Sequence, residues 1–276
     1  MWKLNKPELN KVFSDIEKIE ERKIVIHKDA NSLKQLATEY DTQGGHVTDY
    51  QLSSIPAKVA NNIKSHYTDT NSKKPLEYIR EDLFDGVSRC PYCSIGQVNT
   101  LDHYMPKDNY PAMSLCRLNL VPICWECNHT KGTKSYKEFI HPYYKNLPTK
   151  TIFLQANITV HLNQIIIDFY FDKAAVNNLP LYDELCKHWK NLKMNERLSK
   201  AAIDYIHNEI IDDYSDDNQC IESIRAQLKR KEKKYGPNDW RTAILRALLS
   251  VIQGSEKDNF LKSLQSTIKN KSDQLI

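Results

Sequence analysis

The chain has no stretch approaching the ~20 consecutive apolar residues that cross a bilayer, which argues against a membrane protein. Its first residues, Met1-Trp2-Lys3-Leu4-Asn5-Lys6-Pro7, run into charge-rich sequence without the apolar core of a secretory leader, so a cytoplasmic location is the expectation. A large excess of one sign of charge is also lacking. A net +4 over 276 residues permits a polyanionic partner without pointing to one. Seven unevenly placed cysteines are too few for a disulfide framework. There is no internal repeat or low-complexity tract, and no helix-turn-helix, homeodomain or zinc-finger recognition helix, so nothing indicates a specific target sequence.

What is present divides into three regions. Residues 1–80 read as helical, with Leu9, Val12, Phe13, Ile16 and Ile19 recurring three or four apart and Gly44-Gly45 marking a break. Pro75 to Phe84 reads as a short helix leading into the next region. Residues 81–150 become rich in Pro, Cys, His and Asn and suggest hairpins and loops. Residues 151–276 open with two β-branched, aromatic segments, Thr151 to Val160 and Gln164 to Phe171, expected to pair as strands around Leu162-Asn163. Helical periodicity then returns from Pro180, with Asp239 placed to cap a helix after Gly236-Pro237.

Four of the cysteines form two tight pairs, Cys90-Pro91-Tyr92-Cys93 and Cys124-Trp125-Glu126-Cys127. This spacing lets two knuckles converge on one tetrahedral Zn²⁺, and a closed shell of four thiolates leaves no position for substrate, so its role is structural. The remaining Cys116, Cys186 and Cys220 are scattered and read as small buried hydrophobes. The interval between the pairs exceeds the ~15–20 residues of a simple ribbon. Something is inserted there.

The insert carries Leu101-Asp102-His103-Tyr104-Met105-Pro106-Lys107 and Leu118-Asn119-Leu120-Val121-Pro122, and Asn128-His129-Thr130-Lys131-Gly132 follows the second pair. In order and spacing, Cys90 to Lys134 resembles the HNH endonuclease family, as an H-N-N variant in which Asn128 replaces the final His. The resemblance implies an α+β fold: a central ββα-metal HNH module with a four-cysteine zinc site, flanked by mainly helical N- and C-terminal regions. It also implies roles. Asp102 and Asn128, as hard oxygen donors, would hold a catalytic Mg²⁺ or Mn²⁺; His103 would be the general base; Asn119 would hold the loop through backbone hydrogen bonds and orient His103. Because adjacent strand residues face opposite sides, Asp102 and His103 can serve one site only where the strand bends or ends.

Lys107 and Lys131 are candidates to meet a substrate phosphate, although a lysine on a helix is ordinarily solvated. The run Lys229-Arg230-Lys231-Glu232-Lys233-Lys234 is either a solvated helix face or a track for a nucleic-acid backbone. His141-Pro142-Tyr143-Tyr144 reads chiefly as packing at the module's edge. The run Asp102 to Lys107 with Tyr110-Pro111, Asn119 to Pro122 and His141-Pro142 is similar to bacterial defence-associated HNH nucleases, including those acting beside an ATPase partner as in Septu-type systems. The functional expectation is a DNA endonuclease. The competing one is a zinc-ribbon protein that binds nucleic acid or scaffolds a partner without cutting, which would need none of Asp102, His103 and Asn128.

Overall fold

The structure is a computed structural model that describes residues 3–162, 164–210 and 217–263, without side chains for 217–220, so Asn163 and the Cys220 side chain lie outside the described residues. The chain is α+β and divides into two compact units, Met1–Leu147 and Pro148–Ile276. Helices before residue 80 and the cysteine region therefore share one unit.

In the first unit, α1 (Leu9–Glu21) buries Val12, Ile16 and Ile19, three positions on one helical face, against α2 (His27–Thr42), which turns in Leu33, Leu36, Ala37 and Tyr40. Gly44 and Gly45, both at positive φ, release the chain from α2. Short helices α3 (Asp49–Leu52), started by a Thr48–Gln51 capping box, and α4 (Ala57–Ser65) lead to a 3-10 turn at His66–Thr70 and to α5 (Glu77–Phe84). A two-stranded antiparallel sheet follows. Strand β1 (Thr100–His103) pairs with β2 (Leu120–Ile123), setting Asp102 opposite Val121 and His103 opposite Leu120, and α6 (Trp125–Lys131) continues directly from β2 and packs on β1.

Ion pairs of high sequence separation tie the α1 face to this sheet. Buried Arg117, just before β2, holds both carboxylate oxygens of Asp15 on α1 and reaches Asp82 on α5 at 2.8 Å. The guanidinium fork opposes the desolvation of Asp15 only in part, since burial still leaves its carboxyl raised, but does so better than a single-point ammonium would.

In the second unit, β3 (Leu154–His161) and β4 (Gln164–Phe171) form a hairpin through Leu162, whose φ is +48°. Ile158, Ile167, Phe169 and Phe171 point to one covered face, the alternation visible in the sequence. Among the described residues, helices α7 (Lys173–Val176), α8 (Leu179–Asn191), α9 (Met194–Glu209), α10 (Asp217–Tyr235) and α11 (Trp240–Ile252) follow. Asp239 caps α11, and α11 lies against β3 and α10.

Candidate functional site

The four paired cysteines converge. Their sulfurs are buried and all lie within 4.8 Å of one another, with Cys93 Sγ and Cys124 Sγ 3.7 Å apart. Zn–S bonds of ~2.3 Å in a tetrahedron separate sulfurs by about 3.8 Å, so the cluster fits a structural zinc. In the first knuckle Cys90 N–H donates to the Gly96 carbonyl at 2.9 Å, Ser94 N–H to the Cys90 carbonyl at 2.9 Å, and Ile95 N–H to Cys93 Sγ at 3.5 Å. Ser94 takes a left-handed backbone, φ +61°, to make this turn. The second knuckle starts α6, where Cys124 Sγ accepts the Cys127 N–H at 3.5 Å and serves as the helix cap. Hydrogen bonds among the thiols lower Cys93 and Cys124 and raise Cys127, while burial chiefly raises Cys90, so the four sulfurs share their protons unevenly.

Along α6, Cys124, Cys127, Asn128 and Lys131 stand at i, i+3, i+4 and i+7, which is one face of a helix. The zinc face and the face that meets β1 are therefore continuous. Beneath it lies Asp102, 3% exposed, whose Oδ1 accepts from Lys131 Nζ at 3.0 Å. Lys131 Nζ also donates to the His103 carbonyl at 2.8 Å. Burial pushes the Asp102 carboxyl up to about 6, and the Lys131 ammonium only partly opposes this. Asp102 Oδ2 is equally buried and has no hydrogen-bond partner among the described residues.

This corrects the expectation for Lys131. A lysine expected to reach a phosphate is instead wholly enclosed, because a carboxylate and a carbonyl beneath α6 satisfy its ammonium. Lys107 is half-buried, its Nζ 4.6 Å from the centre of the Tyr67 ring.

His103 ends β1 and is 7% exposed. Its Nε2 lies 3.0 Å from the Ser114 carbonyl oxygen. A carbonyl can only accept, so Nε2 carries the proton and Nδ1 keeps the lone pair. Burial drives the imidazole down to about 3, with Lys107 and Lys131 adding to the shift against the pull of Ser114 and Asp108, so it is neutral across the physiological range. The Tyr67 ring meets it edge-on, centroids 4.3 Å apart, while the Tyr67 hydroxyl donates to the Leu101 carbonyl at 3.0 Å.

Asn119 is fully buried and staples the segment after β1. Its Oδ1 accepts Met105 N–H at 2.8 Å, and its amide donates to the Met105 and Met113 carbonyls at 3.1 and 3.2 Å. Its own carbonyl takes the Tyr104 N–H at 2.8 Å. Ser114, whose carbonyl holds His103, directly follows Met113 in this stapled loop.

Asn128 is half-buried, and its side-chain amide makes no hydrogen bond among the described residues. Trp125 and His129, on the outer face of α6, stack on each other at 4.8 Å. His141 is buried among Tyr40, Tyr104, Tyr143 and Tyr144, which is packing. Lys229, Arg230, Lys233 and Lys234 are exposed on α10 in the second unit, whereas Lys231 turns to Glu209 at 2.9 Å. Tyr67 and Ser114 escaped the sequence reading. Ser114 acts through its backbone, which no residue type announces, and Tyr67 sits in a helical stretch whose pattern said only that it was amphipathic.

Against known proteins, no family model matches the chain and no solved structure matches it. Protein ea31 of Escherichia phage lambda is 30% identical over 105 residues, which is 36% of this chain. The match covers 33% of that protein's own length.

Proposed function

We propose that the chain is a metal-dependent endonuclease of the HNH kind, with β1, β2 and α6 as its ββα-metal module, hydrolysing phosphodiester bonds in DNA. The observation that carries this reading is the pairing, at one strand end, of a histidine committed to the Nε2–H tautomer with an adjacent carboxylate that keeps one buried oxygen unpartnered. A buried orphan oxygen is costly unless something completes it. Asp102 Oδ2 and the free amide oxygen of Asn128 are hard donors of the type that Mg²⁺ and Mn²⁺ prefer. When bound there, such a cation supplies neutralisation of charge on the phosphate and the leaving oxygen.

The protein's own groups supply the rest. His103 Nδ1, neutral and with its partner nitrogen pinned, takes a proton from the attacking water once the negative charge of an entering phosphate raises the basicity that burial holds down. The Asn119 staple and the Ser114 carbonyl fix the ring's direction, and the zinc knuckles fix α6 above β1. Lys107, over Tyr67 and beside His103, is placed to meet a phosphate oxygen. The exposed cations of α10 add salt-dependent affinity for a backbone. A place in antiviral defence beside an ATPase partner belongs to the proposal on the strength of the motif run alone, Asp102 to Lys107 with Tyr110-Pro111, Asn119 to Pro122 and His141-Pro142.

The test is supercoiled plasmid incubated with the zinc-loaded chain and Mg²⁺, Mn²⁺ or EDTA. The expected result is metal-dependent nicking, reduced about 10²–10⁴-fold in His103→Ala with unchanged zinc content. Undiminished cleavage by that variant would reject the role of His103, and no cleavage by the parent under any metal would reject the hydrolase reading. A second reading, a zinc-ribbon binding or scaffold protein, draws on the burial of Asp102 and His103. It predicts nucleic-acid or partner binding that survives Asp102→Ala.

A further inference from the structure

The Lys131–Asp102 contact bears on how a cation could bind. Hard-cation sites commonly gather several carboxylates, whose summed negative charge sets affinity. Here the charged side chain paired with Asp102 is an ammonium, enclosed at 0% exposure and 3.0 Å from Oδ1. Protein charge at this point sums to zero once the carboxylate is ionised, and Asn128 adds only a dipole.

The ammonium cannot swing away cheaply. It is wholly enclosed, and its second acceptor, the His103 carbonyl, holds it from the strand side at 2.8 Å. A divalent cation placed on Oδ2 would feel attraction from the carboxylate and repulsion from Lys131 together, in surroundings where neither is screened as in water. The missing negative charge must then come from outside the protein. A phosphodiester oxygen entering beside His103 supplies it.

We propose, resting on the hydrolase reading, that Lys131 is a positioning residue that makes the cation site charge-neutral, so that divalent cation and nucleic-acid backbone bind cooperatively. Lys131 orients Asp102 by occupying Oδ1 and directing Oδ2 to the cation. It also keeps the site weakly loaded until substrate arrives. The coupling is reciprocal: whatever factor DNA adds to cation affinity, the cation adds to DNA affinity.

The experiment is Mn²⁺ titration followed by electron paramagnetic resonance, using the zinc-loaded full chain in the non-cutting His103→Ala background, with and without a short DNA duplex. Mn²⁺ is expected to bind about tenfold or more tighter with the duplex present. Adding Lys131→Met should strengthen Mn²⁺ binding without DNA and shrink the gain from DNA, whereas Lys131→Arg, keeping the charge, should preserve the gain. A lysine of merely structural importance gives the opposite sign, since its loss would disorder Asp102 and weaken Mn²⁺ binding in every condition.

Equal Mn²⁺ affinity with and without DNA overturns the proposal, and so does weaker DNA-free binding in a folded Lys131→Met variant. If that variant does not fold, by zinc content and near-ultraviolet circular dichroism, the two titrations on the His103→Ala chain decide alone. Plasmid nicking by the parent with DNA-independent Mn²⁺ binding sinks this inference and leaves the nuclease standing. Absence of both nicking and Mn²⁺ binding removes the nuclease and this inference together.

Discussion

Tyr40 Oη on α2 lies 3.2 Å from Asn119 Oδ1, and this contact is one link in a buried relay. Tyr143 N–H donates to His141 Nδ1 at 3.3 Å, which places the ring proton on Nε2. That proton is donated to Tyr40 Oη at 3.0 Å, and the Tyr40 hydroxyl proton goes to Asn119. An N-terminal helix thus supports the residue that staples the loop after β1.

Removing one hydroxyl should be felt as a buried unsatisfied donor. Tyr40→Phe deletes the acceptor of His141 Nε2–H, and the expected loss is about 1–3 kcal/mol in urea unfolding of the zinc-loaded chain, with an unchanged dependence on denaturant. A change below ~0.5 kcal/mol, the range of ordinary surface substitutions, would show that the relay carries no stability.

Zinc retention should depend on a residue that is not a ligand. A Cβ added at Gly96 would stand 2.7 Å from Cys124 Cβ and 2.9 Å from its Sγ, distances real Cβ atoms do not tolerate. Gly96→Ala must therefore push the two knuckles apart. Release of zinc to a competing chelator should be at least about tenfold faster than from the parent, and Cys127→Ser should abolish retention outright. Retention equal to the parent in Gly96→Ala would mean that the knuckles are not packed this closely.

Much of this arrangement was legible in the sequence because it is carried by local spacing. The Val12, Ile16 and Ile19 stripe announces α1, alternation around Ile158 and Ile167 announces the hairpin, and the cysteine pairs announce a cluster whose sulfurs converge. What was not legible depends on partners far away in the chain. Lys131 looks like any solvated helical lysine until Asp102, 29 residues earlier, is seen beneath it. Arg117 could not be matched to Asp15 at a separation of 102 residues, since either could equally have faced water. The boundary near residue 80 followed a change of composition, and that change falls within a unit whose core both sides share.

Acid should weaken the fold partly through His141. Burial drives its imidazole down to about 3, whereas the unfolded chain carries an ordinary histidine near ~6.5. The unfolded state therefore binds the extra proton first as pH falls, and stability rises with pH wherever that is so. His141's contribution is complete above pH ~6.5 and is lost progressively below it, by roughly 1.4 kcal/mol per pH unit until the folded value near 3 is approached. Asp102 acts with the opposite sign, because its carboxyl is raised to about 6 and the folded chain takes up that proton before the unfolded one. Zinc thiolates also protonate in acid. A difference measurement separates these contributions. His141→Gln cannot take up the proton in either state, so its stability between pH 6 and 4 should fall less steeply than the parent's by close to one proton's worth of slope. Parallel slopes for the two proteins would mean that His141 titrates normally in the folded chain, and that the tyrosine cage around it admits water.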